Sequence, residues 1–104
     1  MTNNIKCVKG DNVSFAVYHE VDGNQYSLGE NEFYRVKIKK NLGAGEPDVQ
    51  ADSDSCQFEF SHCLDCGKYY FEISLVSGGV ETVISPATDT DGARLNTLCV
   101  TERL

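Results

Sequence analysis

The feature that most constrains this chain is a period of two in its apolar residues. "KYYFEISLV" puts Tyr69, Phe71, Ile73 and Leu75 on one side, with Tyr70, Glu72 and Ser74 on the other. "EFYRVKIKK" puts Tyr34, Val36 and Ile38 on one side, against Arg35, Lys37 and Lys39. Successive side chains of a strand point to opposite faces, so such a row is a strand with one buried face. An α-helix would scatter the same residues around its axis. "NVSFAVYHE" (Val13, Phe15, Val17) and "CQFEF" (Cys56, Phe58, Phe60) repeat the pattern. "VETVIS" and "RLNTLCVTER" read as weaker strands, and "NIKCVK" as a short first strand of undefined orientation.

Turn residues separate these runs. Gly10-Asp11 precedes the second run and Asp22-Gly23-Asn24 follows it; Ser77-Gly78-Gly79 predicts a tight hairpin. Residues 41–55, "NLGAGEPDVQADSDS", lack periodicity and read as a long exposed loop. "SPATDTDGA" reads as a second loop, opened by Pro86. Seven short strands in 104 residues predict an all-β chain: one domain over 1–104, folded as an immunoglobulin-like antiparallel β-sandwich of about seven strands. The chain has no Trp, so the core Trp of true immunoglobulin domains is missing.

Charge narrows the function. With 16 acidic and 9 basic residues the formal charge is −7, which opposes binding to nucleic acid. No stretch reaches the ~18 apolar residues of a membrane span. The N-terminal "MTNNIKCVKGDN" lacks the basic-then-apolar pattern of a secretory signal. A chain starting at Met1 is therefore expected in a reducing cytoplasm, with its cysteines as free thiols.

Each candidate site is incomplete. Cys63-Leu-Asp-Cys66 is one CxxC, whereas a structural zinc site needs two converging ligand pairs. Cys63 and Cys66 are low-ranking metal candidates, and no metal or other cofactor is expected. The motif precedes a strand rather than opening a helix, and Asp65 opposes thiolate formation, so dithiol redox chemistry is disfavoured. The segment reads instead as a turn, with Gly67 giving the backbone freedom where the strand begins and Leu64 packed beneath. Asp52 and Asp54, or Asp89 and Asp91 followed by Gly92, suggest calcium but lack a closing Glu and the Gly spacing of an EF-hand. His19 and His62 are the only histidines, and neither implies a triad.

Interface residues are better supported. Arg35, Lys37 and Lys39 form a cationic stripe on one strand face, read as a small anion or partner contact or as a solvated face that blocks aggregation. Tyr18 and Tyr70 lie opposite the core faces of their strands; Tyr is enriched at protein interfaces, and the alternative is that both simply cover the outer sheet.

Two stretches, "VKGDNVSFAVYHEVDGNQYSLGENEFYRVKIKK" and "GKYYFEISLVSGGVETVISP", together resemble small β-sandwich domains of siphophage and prophage tail proteins. They are most similar to the N-terminal domain of baseplate upper proteins in phages of Gram-positive bacteria. The resemblance implies a non-enzymatic structural or assembly module, with other tail or baseplate proteins, or further copies of itself, as partners and the virion tail as destination. Cysteines are not expected at the turn where this chain has Cys63 and Cys66. Two other readings remain. One is a β-sandwich that binds a carbohydrate or similar ligand through loops 41–55 and 86–93. The other is a small zinc-stabilised regulator.

Overall fold

A computed structural model describes residues 4–40, 45–61, 64–85, 88–89, 92–93 and 96–102. The described residues contain strands and no helix. Eight strands have four residues or more: β1 (Asn4–Val8), β2 (Val13–Ala16), β5 (Glu32–Lys39), β6 (Val49–Ser53), β7 (Gln57–Phe60), β8 (Gly67–Ser77), β9 (Val80–Ser85) and β12 (Asn96–Thr101). Two-residue strands form small hairpins: β3 (Glu20–Val21) with β4 (Asn24–Gln25), and β10 (Thr88–Asp89) with β11 (Gly92–Ala93).

The larger sheet has the order β1-β12-β8-β5-β6, and β9 also pairs with β8. β8 is its axis. One of its edges carries β5 over Tyr70–Ser77; the other is shared end to end by β9, opposite Ile73–Ser77, and β12, opposite Gly67–Phe71. β9 and β12 thus continue one line along β8. Asn96, fully buried, donates from Nδ2 to Ser85 Oγ at 2.9 Å and ties the two ends together.

Two expectations need correction. The sheet is mixed, because β1 runs parallel to β12 while the other pairs are antiparallel. Residues 41–55 are not one loop: Val49–Ser53 forms β6 and completes one edge of the sheet against Tyr34–Ile38. Val49 and Ala51 alternate onto the core side, but they are small and flanked by acids. Pairing with β5, not local propensity, decides their state.

The buried face follows the period of two. Tyr34, Val36, Ile38, Tyr69, Phe71, Ile73, Leu98 and Val100 line the inner side of the large sheet at 5% exposure or less. The β2–β7 pair covers part of that side with Phe58, Phe15 and, just past β2, Val17. The Phe15 ring stacks on Phe58 (centroids 5.2 Å apart) and lies 6.2 Å from Phe71, which joins the small sheet to the large one. Leu64 is buried in the same core, as the sequence implied. Fully burying each such side chain contributes roughly 1.5–3 kcal/mol.

Turns form as their chemistry requires. Asp22-Gly23 and Gly78-Gly79 both hold positive φ (54° and 82°, 57° and 82°), the type I′ pattern that matches strand twist. Gly67 has φ +147°, which a side chain would disfavour, so glycine is needed where β8 begins.

Candidate interaction surfaces

The structure separates the residues singled out in the sequence. Arg35, Lys37 and Lys39 share the outer face of β5, and Tyr70 faces the same side of β8, in register with Lys39. These groups are engaged within the chain. Arg35 donates from Nε to Asp52 Oδ1 at 2.9 Å and from Nη2 to Oδ2 at 3.3 Å, and its guanidinium sits 5.3 Å from the Phe33 ring centroid. The hydrogen bond to Asp52 raises the Arg35 pKa further. Lys37 Nζ is 3.0 Å from one oxygen of Glu81 and 3.1 Å from the other. Lys39 donates to the Gly45 carbonyl at 3.1 Å, and Lys68 Nζ lies 5.6 Å from the Tyr70 ring centroid. The stripe is thus a set of ion pairs and carbonyl contacts laid over the sheet, with little net field left to draw an anion.

Tyr18 is elsewhere. It lies past the end of β2 rather than on a strand face, and it is 87% exposed. It stands at the rim of a cleft of about 470 Å³ on the inner side of the large sheet. Ile5, Phe15, Phe71, Ile73 and Ile84 form its apolar walls, with Asn4 and Ser85 supplying polar groups. The cleft exists because the two-stranded sheet is narrower than the sheet it covers.

The cysteine turn carries no reactive thiol among the described residues. Cys66 has its pKa raised, first by a hydrogen bond with Glu102 and then by burial, so the thiolate is disfavoured. Burial likewise pushes up the Cys7 thiol. Tyr69 donates its hydroxyl to the Asp65 carbonyl at 2.9 Å and Lys9 Nζ stands 3.6 Å from the Asp65 carboxylate, which fixes the turn to β8 and to the end of β1. No cluster of three or more potential metal ligands occurs among the described residues. Cys63 and His62 lie outside the described residues, as do Asp91 and, beyond its backbone pairing in β10, Asp89. Asp52, one of the calcium candidates, is held by Arg35.

One polar cluster was not anticipated. The Glu32 carboxylate accepts from the Tyr26 hydroxyl (2.9 and 2.8 Å to its two oxygens) and from the Gly29 N–H at 2.6 Å. Those donors, the Gly29 bond foremost, hold its pKa below the ordinary carboxylate value. His19 Nδ1 and the Tyr34 hydroxyl share a hydrogen bond at 3.1 Å, and the His19 ring lies 4.9 Å from that of Tyr26. Together they pin residues 18–29, including the β3–β4 hairpin, to the start of β5. The sequence hint was slight: His19, Tyr26 and Glu32 are within 13 positions of one another, but only the folded hairpin brings them together.

The other large apolar residues exposed among the described residues are Val21 (46%), Val80 (65%) and Val83 (49%). Val80 and Val83 lie on β9, whose outer edge pairs with no other described strand. A signal was present in "VETVIS", an apolar strand without Lys, Arg or Pro. No helix among the described residues is long and apolar enough to cross a membrane. No family model, curated protein or solved structure matches the chain.

Proposed function

We propose that this chain is a non-enzymatic assembly module of a phage or prophage tail, built as an immunoglobulin-like β-sandwich and working through protein–protein contacts. The observation that carries the reading is where apolar surface remains exposed. Tyr18 at the cleft rim and Val80 and Val83 on a marginal strand are large apolar side chains left in water while the broad outer face is closed by its own ion pairs. Exposed apolar residues next to unpaired strand edges suit docking to another protein. The likeness of the two quoted stretches to baseplate upper proteins supplies the setting: synthesis in a bacterial cytoplasm and incorporation into a virion tail. Its partners are other baseplate proteins or further copies of itself, with no part for nucleic acid or a membrane.

The test is co-expression with the products of the genes flanking its own, followed by native mass spectrometry. The expected result is a metal-free complex of fixed stoichiometry, either of this chain alone or with a neighbour. A chain that stays monomeric both alone and with its neighbours overturns the reading.

A second reading draws on the cleft. Its volume suits a small ligand, and an exposed Tyr at its rim suits stacking on a sugar ring. Glycan-array binding that is abolished by Tyr18→Ala would favour it over the assembly role.

A further inference from the structure

We infer that the open edge of β9 receives β9 of a second copy of this chain, as an antiparallel pair about a two-fold axis at Thr82. The inference rests on the proposal that the chain works through protein–protein contacts, and it specifies where and with what.

The argument begins with how the chain guards its other edges. β1 carries Lys6 and is followed by Lys9. β6 has five residues and is followed by Asp54. β2 and β7 have only four residues each, and β7 contains Glu59. Charges and short length are the usual devices that keep strand edges from pairing. β9 has neither protection. It is six residues long, its residues are Val80, Glu81, Thr82, Val83, Ile84 and Ser85, and Val80 and Val83 are exposed. Its one charge, Glu81, is already held by Lys37 at 3.0 Å on the outer face. A bulge at Ile73/Ser74 shifts the register near Ile84, so the regular edge runs from the Gly78-Gly79 turn to about Ile84.

The sequence of that edge is self-complementary. A two-fold axis perpendicular to the sheet through Thr82 keeps inner side chains with inner ones. Thr82 then lies opposite Thr82 of the second copy. Glu81 lies opposite Val83, and Val80 opposite Ile84. Threonine pairs and apolar pairs across strands are favourable, and no like charges come directly opposite. The two copies then share one continuous sheet.

The test uses the full chain under reducing conditions, with native mass spectrometry and light scattering from about 1 to about 300 µM, the range in which a short strand pairing is expected to associate. The expected result is a concentration-dependent dimer, with Val83→Glu, which sets a carboxylate directly opposite Glu81 of the second copy, raising the dissociation constant at least tenfold while the circular dichroism spectrum is unchanged. Val80→Lys, which sets a cation opposite Ile84 of the second copy, should do the same. Tyr18→Ala should leave the dimer intact. A wild-type monomer at every concentration overturns the inference, as does a dimer that survives Val83→Glu. Binding to a neighbouring gene product that Val83→Glu abolishes, without any homodimer, also overturns it but leaves the assembly role standing.

Discussion

The two faces of β5 share one backbone and differ in what holds them. On the inner side Tyr34, Val36 and Ile38 are at 2% exposure or less, packed against β8 and the phenylalanines of the small sheet. On the outer side Phe33, Arg35, Lys37 and Lys39 are half-buried and tied down by partners on β6 and β9 and in the segment before β6. The inner face is held by exclusion of water, which is hard to replace. The outer face is held by polar contacts that exchange with water at little cost. The first face determines the fold. The second closes a surface over the sheet with the chain's own ion pairs.

The largest test is on the inner face. Ile38→Ala should destabilise the chain by about 2–5 kcal/mol, as for other large-to-small core changes. The adjacent outward Lys39→Ala should stay within about 0.5 kcal/mol. Urea unfolding of both variants checks the contrast, and equal losses would erase the distinction between the faces.

These faces were also the most legible part of the sequence. Alternation in 32–39 and 69–73 marked which side of each strand is buried, and the Gly78-Gly79 and Asp22-Gly23 turns were readable from residue type; past Ile73 it did not, because Ser74 and Val76 are buried on the outer side. What could not be read was non-local. Arg35 meets Asp52 from 17 positions away and Lys37 meets Glu81 from 44, so the apparent cationic stripe is cancelled by residues no local window contains. β6 was hidden because its strand state comes from β5. Tyr18 was assigned to a strand face because alternation gives no sign that β2 stops at Ala16.

The next test concerns Glu32, which begins the inner row of β5. Its native pKa is depressed, so its contribution is complete above the ordinary carboxylate value of about 4.3 and is lost as pH falls from there through the lower native value. Glu32→Gln should therefore be less stable than wild type near neutrality and converge with it in acid. Urea midpoints from about pH 7 to about pH 3 measure this. Parallel curves across the range would mean that the Tyr26 and Gly29 bonds do not depend on the charge.

A smaller effect, of opposite sign, is expected at Ser74. Its side chain faces outward between Arg35 and Val83 in the register, yet it is 1% exposed and its hydroxyl has no hydrogen-bond partner among the described residues. Leaving a buried hydroxyl unpaired is costly, so Ser74→Ala should be neutral or stabilising by up to about 1 kcal/mol. A clear loss of stability would show that the hydroxyl is satisfied in solution and that the outer face is wetter than its packing implies.

The smallest effect tests what the outer face is worth. Arg35 and Asp52 form a two-bond pair, but Asp52 is exposed and both side chains reach water. A double-mutant cycle with Arg35→Ala and Asp52→Ala should give a coupling of about 0.2–1 kcal/mol that shrinks as salt is added. The Arg35 single variant should lose somewhat more than the coupling, because its guanidinium also lies over the Phe33 ring. A coupling of several kcal/mol, insensitive to salt, would place the pair in a dry environment. The outer face would then be part of the structural core rather than a closed surface, and the contrast between the two sides of β5 would fail.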